Sequence, residues 1–202
     1  MPDPLMNMKP THGPFQLLVF DWDGTLMDSE ARIVACLEMA LADLGLPALP
    51  RERLSNVIGL GLPEAVRDLL PEADHELVAR FTDRFRHYFL SPDPVPSALF
   101  PGALETLIRL ADAGYLLAVA TGKSRRGLDR SLAETGCAGL FTTTRCADEC
   151  FSKPHPQMLL EIMTDLDTPP HETLMIGDTY RGYFCRSFTQ NHCRSICRAY
   201  CL

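Results

Sequence analysis

What this chain lacks narrows the reading first. Lysine is scarce: 202 residues contain three, Lys9, Lys123 and Lys153. No Asp or Glu follows Asp178, although 26 acidic residues stand at or before it. No apolar run is long enough to span a bilayer, and the opening MPDPLMNMKPTHGPF is polar and proline-rich without a signal-peptide core. A cytoplasmic protein with no membrane partner is expected. The eight cysteines include no CxxC pair, and in a reducing compartment an even count is poor evidence for disulfides. A formal charge of −7 argues against nucleic acid as a partner.

What is present suits a compact enzyme-sized core. With 46% hydrophobic and 22% charged residues, the chain can bury one domain, or a domain carrying a smaller insert. Short apolar runs at 16–20 (QLLVF), 115–120 (YLLAVA) and 173–176 (TLMI) read as buried parallel strands, with 140–144 (LFTTT) a weaker fourth. Helical patterns lie between them at 103–113, 126–134 and 156–165, the last placing Met158, Leu159, Ile162 and Met163 on one face. This alternation predicts the α/β class, a Rossmann-like parallel sheet with right-handed crossovers. Ligands of such sheets sit beyond the carboxyl ends of the strands, where Asp21, Thr121 and Asp178 fall.

The region from about residue 29 to 90 breaks the alternation. It reads as helices at 31–44, 63–70 and 76–89, and the Pro-rich segment 91–96 is a stiff return to the sheet. Inserted just after the first strand, these helices are expected to form a lid over the ligand end. The organisation is therefore a core of 1–27 and 97–202 with a helical cap at 28–96.

The sharpest motif is FDWDGTLMD at 20–28. Just past a strand's end, a carboxylate and a neighbouring carbonyl can converge on one ion. An isolated DxDG string is most often a polar turn, a Thr-Gly pair likewise, and a lone lysine is usually a solvated charge. Here an apolar strand precedes the acids, and three further polar groups end neighbouring elements, so chemistry is the better reading. The string TGKS at 121–124 is no phosphate loop, because Leu117 stands where a glycine is required. Gly59-Leu60-Gly61 lacks the third glycine of a dinucleotide fingerprint.

Together these residues resemble the haloacid dehalogenase-like hydrolases. DWDGTLMD matches that family's first motif, Ala120-Thr121-Gly122 the second, SKPHP at 152–156 the third, and Ile176-Gly177-Asp178-Thr179 the start of the fourth. The helical insert stands where the phosphoglycolate phosphatase-like branch carries its cap, and the resemblance runs from about residue 15 to 179. It implies a magnesium-dependent phosphoric monoester hydrolase acting on a small phosphorylated metabolite, phosphoglycolate foremost, through an aspartyl-phosphate. In that scheme Asp21 is the nucleophile, and Asp23 serves the leaving oxygen and then the water. Lys153 stabilises the phosphoryl group, and Thr121 and Gly122 bind the phosphate. Asp21, the Asp23 carbonyl and Asp178 hold Mg2+. Asp28 either tethers the lid to the site or caps the helix that follows. A phosphomutase would use the same four motifs, whereas a dehalogenase does not need Asp23.

The tail departs from this pattern. The family's fourth motif carries a second acid four positions on, which here is Gly182, and losing such a partner costs roughly 10 to 100-fold in affinity or activity. Residues 180–202 offer no clear apolar strand, so the core is expected to be incomplete at its carboxyl end, with an open sheet edge. Cys193, Cys197 and Cys201 recur every four residues near Cys185 and His192, a weak case for zinc without a CxxC pair. The abrupt change suggests a tail out of register with the family's reading frame. A truncated or frameshifted homologue with weak or no catalysis is the alternative function.

Overall fold

The computed structural model describes residues 13–91 and 97–178, and the backbone of 194–197. A central strand β1 (Leu17–Phe20) leads through the two-residue β2 (Met27–Asp28) to helices α1 (Glu30–Asp43), α2 (Arg51–Ser55), α3 (Leu62–Leu69) and α4 (His75–Leu90). The chain returns through β3 (Ala98–Leu99) to α5 (Ala103–Asp112), β4 (Leu116–Thr121), α6 (Arg125–Thr135), β5 (Thr143–Cys146) and α7 (Gln157–Asp165). A 3-10 turn (Pro170–Glu172) precedes β6 (Thr173–Gly177), and β7 (Arg194–Cys197) follows.

Five strands form one parallel sheet in the order β5-β4-β1-β6-β7. Side chains of a strand alternate between faces, and β1 uses both. Leu17 and Val19 pack with Met158, Leu159 and Ile162 of α7, while Leu18 and Phe20 pack with Leu107 of α5 and Leu128 of α6. That is the doubly covered sheet of the α/β class, and it explains why these strands read as continuous apolar runs. The chain runs outward from β1 to β4 and β5, then returns to β6 on the other side of β1. The order therefore reverses between β1 and β6, and the crevice beyond such a reversal is where open α/β sheets bind ligands.

Helices α1 to α4 build an apolar core of their own from Val34, Leu37, Leu41, Leu54, Val66, Leu69 and Phe81. The Asp74 carboxylate accepts a hydrogen bond from the Leu77 amide at 2.8 Å and starts α4. Where the chain enters and leaves this helical layer, β2 and β3 pair antiparallel, Met27 opposite Leu99 and Asp28 opposite Ala98.

Two expectations are corrected. The strand read at 140–144 begins only at Thr143, because Leu140 and Phe141 pack into the apolar core and the Leu140 amide closes a turn on Cys137 at 3.0 Å. The edge beyond β6 is not open along the backbone, since Leu174–Gly177 pairs with Arg194–Cys197. Gly182, the proposed zinc grouping and the proposed change of frame fall on side chains and segments outside the described residues. Among the described residues no helix is long and apolar enough to cross a membrane, and Cys137, Cys146 and Cys150 carry free thiols.

Candidate active site

The ladder between β1 and β6 extends one residue past Phe20, with the Asp21 amide donating to the Ile176 carbonyl at 2.9 Å. That bond fixes Asp21 at the strand's carboxyl end, where the residue is 2% exposed. Oδ1 accepts from the Trp22 amide at 2.7 Å, and Oδ2 pairs with Lys153 Nζ at 2.6 Å. Nζ also donates to the Ala120 carbonyl at 3.3 Å, so the buried ammonium is held by β1 and β4 together. Burial pushes the Asp21 carboxyl upward more than the Lys153 charge pulls it down. The intervening Trp22 is buried, and its indole N–H donates to Ser131 Oγ at 2.9 Å, anchoring the turn in the core.

Asp23 stands just past the strand, in a turn closed by Gly24 N to Met27 O at 2.9 Å and Met27 N to Trp22 O at 3.0 Å. Gly24 has φ 78°, and a Cβ there would fall onto the Asp178 carboxylate, so glycine is needed for both conformation and close approach. Asp23 Oδ1 accepts from Ser29 Oγ at 2.6 Å and pairs with Lys123 Nζ at 3.0 Å. Ser29 occupies the N-cap position of α1 but makes no cap bond, because its hydroxyl is directed to Asp23. The tether between the helices and the acid is thus Ser29, and Asp28 itself is exposed in β2.

Thr121 ends β4 fully buried, its hydroxyl accepting from the Lys123 amide at 3.2 Å. At Gly122 a Cβ would collide with the carbonyls of Gly59 and Leu60, so the loop between α2 and α3 lies directly on the strand end. The same loop is tied down by the Gly61 amide, which donates to Ser152 Oγ at 2.6 Å. Lys123 Nζ also lies 4.7 Å from the centroid of the Phe89 ring on α4, and the Arg32 guanidinium lies 4.8 Å from that centroid.

Asp178 follows β6 and is clasped by Thr25, whose hydroxyl donates to Oδ1 at 3.3 Å and accepts from the Asp178 amide at 3.0 Å. Burial, and next the charge of Asp21, push its carboxyl up to about 6. Among the described residues no three His, Cys, Asp or Glu side chains gather for a metal. The expected ligand set asks for only two carboxylates, Asp21 and Asp178, with the third oxygen from the Asp23 backbone. A buried carboxylate, Asp21, whose charge helps raise the pKa of the half-buried Asp178 makes a donor pair suited to a hard divalent cation.

The strand ends therefore bring together Asp21, Asp23, Thr121, Gly122, Lys153 and Asp178. The sequence reading missed Thr25, Ser29, Lys123 and Ser152. For Lys123 a signal existed, since it is one of three lysines and follows Thr121-Gly122 directly.

Residues 18–186 match the model of a family described as haloacid dehalogenase-like hydrolase. The chain belongs to the haloacid dehalogenase-like hydrolases. It is 36% identical over 169 residues to the probable phosphatase IndB of Dickeya dadantii, covering 81% of this chain and 73% of that protein. To the phosphoglycolate phosphatase of Haemophilus influenzae strain 86-028NP it is 32% identical over 174 residues, covering 82% and 78%. Among solved structures, a predicted phosphoglycolate phosphatase from Haemophilus somnus superposes with a TM-score of 0.78 at 26% identity, covering 93% of this chain and 87% of that one. The parallel α/β fold described above is thus shared with a solved relative of the same family.

Proposed function

We propose that this haloacid dehalogenase-like hydrolase is a magnesium-dependent phosphatase that cleaves a small phosphorylated metabolite through an aspartyl-phosphate on Asp21. The observation that carries the proposal is the buried Asp21–Lys153 pair at 2.6 Å, with Asp23 two residues on and fixed through a single oxygen. A carboxylate needs no base to act as a nucleophile at neutral pH. In the first step an Asp21 oxygen bonds to phosphorus as the ester P–O bond breaks, and the leaving oxygen takes a proton from Asp23. In the second, water bonds to phosphorus, gives its proton to Asp23, and the bond from phosphorus to Asp21 breaks to release phosphate.

Ser29 and Lys123 both engage Asp23 Oδ1, which leaves Oδ2 for the leaving oxygen and the water. Lys153 orients Asp21 and sets a fixed positive charge beside the transferring group, and the Thr121 hydroxyl and Gly122 amide are the phosphate donors. Mg2+ would be held by Asp21, Asp178 and the Asp23 carbonyl. When bound, it supplies charge that screens the repulsion between carboxylate and phosphate. Helices in 28–96 act as a cap on a core of 1–27 and 97–202, a division supported by their separate apolar core. A cytoplasmic setting fits the free thiols of Cys137, Cys146 and Cys150.

The names of the Dickeya and Haemophilus relatives support a phosphatase, and phosphoglycolate is the first substrate to test. Purified protein assayed with magnesium should lose roughly a thousandfold or more of its rate in Asp21→Asn. Equal rates in the two proteins would leave only a phosphate-binding homologue without catalysis.

A further inference from the structure

We propose that the alcohol released by this enzyme carries a large apolar or aromatic body, so that the substrate is an alkyl or aryl phosphomonoester rather than one as small and anionic as phosphoglycolate. The proposal rests on the phosphatase reading and narrows it. A cavity of about 480 Å³ lies between helices α1, α3 and α4 and the loop that follows β4. Its floor contains Asp23, Gly122 and Lys123, whereas Asp21, Thr121 and Lys153 are buried beyond its described lining. The space therefore adjoins the acid that serves the leaving oxygen and, at Gly122, one of the phosphate donors, and its apolar part receives the organic group.

Size and lining both decide against glycolate. At about 30 Å³ per heavy atom, the volume share of a liquid water, the five heavy atoms of a glycolate group would fill about a third of the cavity. Pockets of about 300 to 1,000 Å³ take much larger molecules. The walls are Ile33 and Leu37 of α1, Ile58, Leu62, and Phe85 with Phe89 of α4. The two phenyl rings stack with centroids 5.5 Å apart and an interplanar angle of 13°, and Phe89 is further pinned by Lys123 and Arg32. These residues form a wall suited to a flat or extended apolar group.

A carboxylate on the substrate finds no comparable place. Lys123 is the cation of the floor, and it is engaged by Asp23 at 3.0 Å. The other lining cations, Arg86 and Arg126, are exposed, as are the lining acids Glu64 and Asp148, so the solvent-facing part of the lining carries both signs. An anion placed against the apolar walls loses hydration without a partner, while a methylene or ring placed there is removed from water.

The test is a series of n-alkyl phosphates, ethyl, butyl and hexyl, whose leaving alcohols have nearly the same acidity, assayed with phosphoglycolate on the full chain in magnesium. Binding of the matching n-alkyl phosphonates, which cannot be hydrolysed, is measured in parallel by calorimetry. Expected is a rise in kcat/KM on the order of tenfold for each two methylenes, with phosphoglycolate at or below ethyl phosphate, and the same trend in phosphonate affinity. Ile33→Glu should flatten both series. Turnover with a flat series, or phosphoglycolate preferred tenfold or more over hexyl phosphate, overturns the proposal and leaves the phosphatase intact. Chain-length-dependent phosphonate binding without any turnover overturns the phosphatase and keeps the apolar subsite. Neither turnover nor phosphonate binding overturns both.

Discussion

Asp178 shows how one side chain links the site to the stability of the fold. Its carboxyl is pushed from an ordinary 3.8 up to about 6, so between those values the folded chain holds a proton that the unfolded chain releases. Stability therefore falls as pH rises through that window, and the full penalty stands at neutral pH. Asp178→Asn keeps an oxygen for the Thr25 hydroxyl but removes the charge, and should stabilise the metal-free protein at pH 7.5 by about 1 to 2 kcal/mol, with no gain at pH 3.5. Magnesium should reverse the order, raising the melting temperature of the wild type and not of the variant, which thermal scans with and without the ion will read. Lys123 poses a second test. Lys123→Met removes one of two partners from Asp23 Oδ1 and is expected to lower kcat on phosphomonoesters by about tenfold to a hundredfold, with little change in far-UV circular dichroism. Asp21, Asp23, Thr121 and Asp178 stand out in sequence because each ends or follows an apolar run, and Lys153 because it is one of three lysines and precedes a proline. Ser29 and Ser152 do not, because a serine looks solvated in sequence and finds its partner only where distant parts of the chain meet.

At the scale of elements, that meeting is a loop laid on a strand end. The carbonyls of Gly59 and Leu60 occupy the space beside Gly122, and Gly61 donates to Ser152, so the helical layer meets the sheet through backbone as well as through the Lys123 side chain against Phe89. Gly122→Ala should force this loop away and cost about 1 to 3 kcal/mol in urea unfolding, with a matching rise in KM. Ser152→Ala leaves the Gly61 N–H without its acceptor and should cost about 1 to 3 kcal/mol. The contacts also explain which elements the sequence displayed. β1, β4 and β6 are covered on both faces and must be apolar throughout, so their runs stand out. Strand β5 reads Thr143-Thr144-Arg145-Cys146 at the sheet's edge, and its neighbours Leu140 and Phe141 drew the expected strand three residues early. β2 and β3, two residues each, exist only because the entry and exit of the helical layer lie side by side.

The whole molecule joins two apolar cores, one around the sheet and one within the helices, across the crevice that holds the acids. The sheet's integrity at β6 matters most for function, since Asp178 follows that strand and its backbone partner on the outer side is β7. The sequence Arg194-Ser195-Ile196-Cys197 gave no strand signal, because an edge strand needs a backbone ladder more than an apolar run. Its contribution can be measured directly by deleting residues 194–202. If the pairing holds β6 in place, the deletion exposes the edge at Leu174–Gly177 and should lower the melting temperature by about 5 °C or more, a loss of at least a kcal/mol or two for a chain of this size. It should also increase aggregation in size-exclusion chromatography, because an unpaired edge recruits other chains. Most tellingly, stabilisation by magnesium should shrink along with activity, since Asp178 would no longer be held against Asp21. An unchanged melting temperature and an undiminished magnesium response would instead mean that Thr25 and the ladder to β1 suffice to position the acid.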